Sequence, residues 1–123
     1  MHDVRVDPEK NRIYITISKL DSEAEMQSIV EKVKSECRKL ENGFTCLTDL
    51  RGYEYQDEIF EHYIKEAQEA LLQTGMSKVV RVHRPVGVLS HFQFETVSLD
   101  LGYRAENVTS LAEAEKILDG ETE

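Results

Sequence analysis

Two apolar runs of this 123-residue chain stop at basic side chains. Phe44 to Leu50 ends at Arg51, and the β-branched run from Lys78 ends at His83, Arg84 and Pro85. If the runs are neighbouring parallel strands, their C-terminal ends lie together, where open α/β sheets bind their ligands. The helix starts that follow would add free amides and partial positive charge to the same rim. On a chain of formal net charge −9 a local positive rim stands out. Arg51, His83 and Arg84 could there hold an anion through charge-assisted bonds: a phosphate, a carboxylate or a partner's acidic side chain. The plainer reading pairs Arg51 with Glu54, Asp57 or Glu58 and makes Arg84 a cap, because charge pairs at element ends are ordinary.

The second group is aromatic. Tyr53 and Tyr55 flank the turn after the first run, Phe60 and Tyr63 follow, and Phe92 and Phe94 come later. Tyrosines around a turn give contact area at low entropic cost, as protein-binding surfaces do. Tyr53, Tyr55 and Phe94 are expected to be partly exposed, with Phe60 and Tyr63 in the core. The same patch could instead complete a homodimer. Other chemistry finds little footing. His2, His62, His83 and His91 show no metal-ligand spacing, and His62 is expected on an exposed helix flank. Ser90 and His91 are sequence neighbours that would not face each other on a helix. Six scattered glycines form no phosphate loop. No acid, base and nucleophile converge, so neither an enzyme nor a cofactor is expected.

The elements that must position these residues are marked by periodicity. Val4 and Val6 alternate with polar residues, Asp7 to Asn11 reads as a turn, and Ile13, Ile15 and Ile17 alternate again, so an antiparallel hairpin is predicted. Ser22 and Glu25 form a capping box before a stripe of Met26, Ile29, Val30, Val33, Cys37 and Leu40, ended by Asn42-Gly43. The apolar run 44–50 is the third strand. A helix from about Asp57 to Leu72 buries Ile59, Phe60, Tyr63, Ile64, Ala67 and Leu71 and closes on Gly75. After the fourth strand a helix of roughly Val88 to Leu101 is expected, since parallel strands need a crossover. Asn107 to Thr109 is a short fifth strand. Ser110 and Glu113 cap a last helix carrying Leu111, Ala114, Ile117 and Leu118, and the acidic tail 121–123 should fray. The order is ββαβαβαβα: an α/β fold around a mixed, mostly parallel sheet, in one domain with an ordered core of about 3–120.

Composition narrows the partners. Hydrophobic content of 40% with 32% charged residues suits a folded globular chain. Twenty-four acidic against fifteen basic side chains repel phosphate backbones and anionic membrane surfaces, so no nucleic acid is expected. No uncharged stretch approaches a membrane span, and Met1-His2-Asp3 begins no signal peptide, so the cytoplasm is the expected location. Cys37 and Cys46 read as buried thiols of a reducing compartment.

The order of elements, with Asp49-Leu50-Arg51-Gly52 at the third strand's end and Val108-Thr109-Ser110-Leu111-Ala112-Glu113-Ala114 before Ile117-Leu118, resembles the STAS-like fold. That fold is shared by anti-sigma-factor antagonists and the STAS domains of sulfate transporters. More closely, the chain is similar to bacterial STAS-like proteins related by fold to the CRAL-TRIO lipid-binding domains. The resemblance implies a non-enzymatic regulatory domain that binds a protein partner through the turn between strand three and helix two. It alternatively implies a small-ligand or lipid-binding module with a cavity between the sheet and helices two and three, near Leu89, Phe92 and Val97. The family's phosphorylation switch uses a Ser or Thr at the start of the helix after strand three. The matching window, Arg51 to Glu58, contains neither, so the switch does not carry over. Asp57 could mimic a permanent phosphate, though an acidic N-cap is the plainer reading.

Overall fold

The computed structural model describes residues 2–20, 22–53, 60–84, 94, 96–99, 101–103 and 105–120. Strands β1 (His2–Asp7) and β2 (Arg12–Ile17) form the expected antiparallel hairpin, with Val4 opposite Ile15. Its turn is held from within: Asp7 Oδ1 accepts from the amides of Glu9 and Lys10, and Asn11 takes a positive φ of 53°. Helix α1 (Glu23–Cys37) starts at Ser22, whose hydroxyl accepts from the Glu25 amide at 3.2 Å. Met26, Ile29, Val30, Val33 and Cys37 form its buried stripe.

Strand β3 (Thr45–Asp49), helix α2 (Glu61–Thr74) and strand β4 (Lys78–Val82) follow, then β5 (Glu106–Val108) and helix α3 (Leu111–Leu118). Phe94 and residues 96–99 are helical; the rest of the helix expected over 88–101 lies largely outside the described residues. The sheet order is β1-β2-β3-β4-β5, and every pairing after the hairpin is parallel. Thr45 to Asp49 run in register beside Lys78 to Val82. The α/β architecture expected from the alternation is therefore present.

Two layers cover the sheet unequally. One face, built from Ile13, Ile15, Ile17, Cys46 and Val79, packs against α1, α2 and the helical residues Phe94 and Val97 in a single large core. Parallel strands laid side by side in sequence order put their crossover helices on one face, as crossovers of one hand require. The other face carries Leu47, Val80 and Val82 against Ala114 and Leu118 of α3. Coverage of both faces explains why β3 and β4 read as nearly continuous apolar runs.

Helix α2 departs from expectation at its start. Its N-cap is Phe60, with no side-chain cap bond, rather than Asp57, which lies outside the described residues. The half-buried Phe60 ring packs against the large core, so packing takes the place of a polar cap here.

Candidate functional site

The C-terminal rim of β3 and β4 forms as the parallel register dictates. Asp49 pairs with Val82, and the Leu50 amide donates to the Val82 carbonyl at 2.8 Å, so both chains leave the sheet side by side. Gly52 follows at once. A Cβ there would meet the Ser18 Cβ at 2.8 Å, so only glycine lets the chain turn this closely over the end of β2.

The three rim residues meet different fates. Arg51 lies on Asp49 fork to fork, with Nε to Oδ1 at 3.0 Å and Nη2 to Oδ2 at 2.9 Å. Its internal carboxylate is therefore Asp49, two residues back, rather than Glu54, Asp57 or Glu58. Burial alone would raise the Asp49 pKa, but the Arg51 guanidinium and backbone amide outweigh it and hold the carboxyl below its usual value. His83 turns inward. It is buried, its Nε2 lies 2.7 Å from Asn107 Oδ1, and its amide donates to the Val108 carbonyl at 2.9 Å. Its ring thus ties β4 to β5 instead of facing an anion. Arg84 is exposed, donates to the Tyr53 carbonyl at 3.4 Å, and pairs with no carboxylate among the described residues.

The aromatic expectation is corrected. Tyr53 is fully buried and Phe94 is 5% exposed; their rings meet edge to face with centroids 5.2 Å apart. The tyrosine after the glycine turn anchors the turn to the core rather than offering itself to a partner, since two large rings gain more by packing together than by exposure. Tyr55 and Asp57 lie outside the described residues, as do Leu89, His91 and Phe92. Tyr63 is buried as expected, and His62 is exposed.

A polar cluster beneath the rim has no counterpart in the sequence reading. Arg81 of β4, only 2% exposed, donates through Nη2 to Ser98 Oγ and to Tyr103 Oη. Both hydroxyls in turn donate to Gln68 Oε1, at 3.0 and 2.7 Å. The guanidinium also lies over the Phe94 and Tyr103 rings, 5.7 and 6.0 Å from their centroids. Burial pushes the Tyr103 hydroxyl above its usual pKa against the pull of Arg81, which keeps it a neutral donor. The signal for this cluster was an arginine inside a strand expected to be covered on both faces, since a buried charge must bring polar company.

Beside the cluster, between the sheet and helices α1 and α2, lies a cavity of about 30 Å³ lined by Ile29, Ile64, Leu71, Val79, Gln68 and Arg81, among others. Gln68 Nε2, in its wall, is buried without a hydrogen-bond partner. A space of this size suits a water molecule; benzene occupies one of about 150 Å³. Nucleophilic chemistry has no better footing among the described residues. Burial pushes the Cys46 thiol up to about 11, so it stays protonated at neutral pH. No three His, Cys, Asp or Glu side chains gather there as a metal would require. No described helix is long and apolar enough to cross a membrane.

No protein-family model matches the chain, and no curated protein matches it.

Proposed function

We infer that the protein is a non-enzymatic, STAS-like interaction domain. It binds an acidic group of a protein partner at the C-terminal rim of β3 and β4, beside the turn that leads into α2. The carrying observation is Arg84: an exposed guanidinium, hydrogen-bonded to the Tyr53 carbonyl and unpaired with any carboxylate among the described residues. On a surface of formal net charge −9, such a group is the natural point of contact for a negative partner. The neighbouring parts supply rigidity. Arg51 is clamped by Asp49, and the buried Tyr53 ring fixes the turn that Arg84 grips, so the rim is held before binding. The size of the cavity under α1 and α2 speaks against the alternative, a small-ligand or lipid module related to CRAL-TRIO domains. Such a ligand would have to force apart a core that now has room for water alone.

The anion site is tested by thermal melts in sulfate or phosphate against chloride at equal ionic strength. Wild type should gain more from sulfate than Arg84→Ala does. Sulfate stabilises proteins generally by exclusion, so only the difference between the two proteins counts. Equal gains would make Arg84 an ordinary surface charge. Affinity capture with wild type and Arg84→Glu as matched baits then reads the partner. A protein held by wild type and lost by the variant is expected, and identical captures would remove the rim from the function.

A further inference from the structure

Strand β1 is an edge of the sheet, with β2 on one side and no strand on the other. Its outer row of backbone N–H and C=O groups is a template for another strand. We propose that this template is filled by a second copy of the chain. Two β1 strands would pair antiparallel about a twofold axis at Val4, joining two five-stranded sheets into one.

The register follows from charge. Val4 and Val6 face the large core, whereas Asp3 and Arg5 stand on the opposite face with side chains 63% and 65% exposed. A twofold axis normal to the sheet keeps each residue on its own face, so only same-face residues can stand opposite one another. An axis at Val4 sets Asp3 opposite the partner's Arg5 twice, and His2 opposite the partner's Val6. An axis at Arg5 sets Arg5 against Arg5 and Asp3 against Asp7, and an axis at Asp3 sets Asp3 against Asp3. An axis at Val6 also matches charges, through Asp7 and Arg5. It pairs only three residues before Pro8, however, and the Asp7 carboxylate is already taken by the amides of Glu9 and Lys10. The Val4 axis therefore gives the longest pairing with opposite charges facing across the strands, where like charges would repel.

Charges on an edge strand usually keep other strands away. Here they exclude the wrong registers and favour one. The edge lies two strands from the β3–β4 rim, so neither surface depends on the other. A dimer of this kind carries two rims on one continuous sheet, and a bivalent acidic partner would bind it with gained avidity.

Sedimentation velocity on the full chain, from micromolar to millimolar concentration, reads the assembly. Wild type should dimerise. Asp3→Arg should raise the dissociation constant about tenfold or more, because two attractive cross-strand pairs become repulsive. The swapped variant Asp3→Arg with Arg5→Asp should restore it. Circular dichroism checks that each variant is folded, and Arg5→Asp alone takes the place of Asp3→Arg if that one is not. A wild type that stays monomeric throughout overturns the proposal. So does a dimer indifferent to the charge change, or a folded swap that fails to recover it.

Discussion

Asp49 and Arg51 sit two residues apart at the end of β3, and the guanidinium reaches back over the carboxylate with two bonds of about equal length. Asp49 is mostly shielded, its side chain 13% exposed, whereas Arg51 is 46% exposed, so solvent weakens the pair from one side only. The direction of the pH effect follows from the depressed carboxyl pKa. A carboxyl lower in the folded than in the unfolded state adds stability above its unfolded value, near 4, and loses it as pH falls through the folded value. Arg51→Met should therefore cost no more than about 1 kcal/mol at neutral pH and less with each step into the acid range. Carboxyl carbon NMR checks the cause directly: the Asp49 titration should move upward in Arg51→Met. An unmoved titration would give the shift to the backbone amide of residue 51 alone.

At the scale of the element, what could be read beforehand followed period and cap. The alternation of Ile13, Ile15 and Ile17, the stripe of α1 and the Ser22 and Ser110 caps stand where residue spacing puts them, because each is fixed by neighbours within a few positions. The start of α2 was not legible, since an apolar residue, Phe60, ends it through packing that spacing does not encode. Tyr53 was misread for the same reason: its partner Phe94 lies forty-one positions away. The end of α2 could be read, and its energetics can be tested. Gly75 has φ +119°, and a Cβ there would meet Asn42 Oδ1 at 2.1 Å and Asn42 Cα at 3.1 Å. Gly75→Ala should cost more than the roughly 1 kcal/mol expected of backbone strain alone. Adding Asn42→Ala should return the excess and leave the strain, as measured by denaturant unfolding of both single variants and the double.

At the scale of the whole molecule the unequal layers set the order of stability. Twenty buried residues of the described set form the core under α1 and α2, against five under α3. Helix α3, with eight residues, is held as much by polar contacts as by packing. Arg12, 2% exposed in β2, reaches both Glu115 and Asp119, and the Tyr14 hydroxyl donates to Glu115 at 2.9 Å. Burial works against the charge of Arg12, but the bonds to Asp119 and its neighbours outweigh this and raise its pKa, so the guanidinium stays charged. None of these long-range pairs could be read from periodicity, because Arg12 and Asp119 are brought together only by the completed sheet. Protection should accordingly fall from the centre outward, since local opening is easiest where little apolar surface is lost. In native-state hydrogen exchange the amides of β3, flanked on both sides and covered on both faces, should be the slowest. Those of α3 and the three-residue β5 should open first. Arg12→Met should speed exchange in α3 while leaving α1 unchanged, because it frees Glu115 and Asp119 without touching the large core. Equal acceleration in both helices would mean that the two layers open as one unit, with the ion network supporting the whole sheet rather than one face of it.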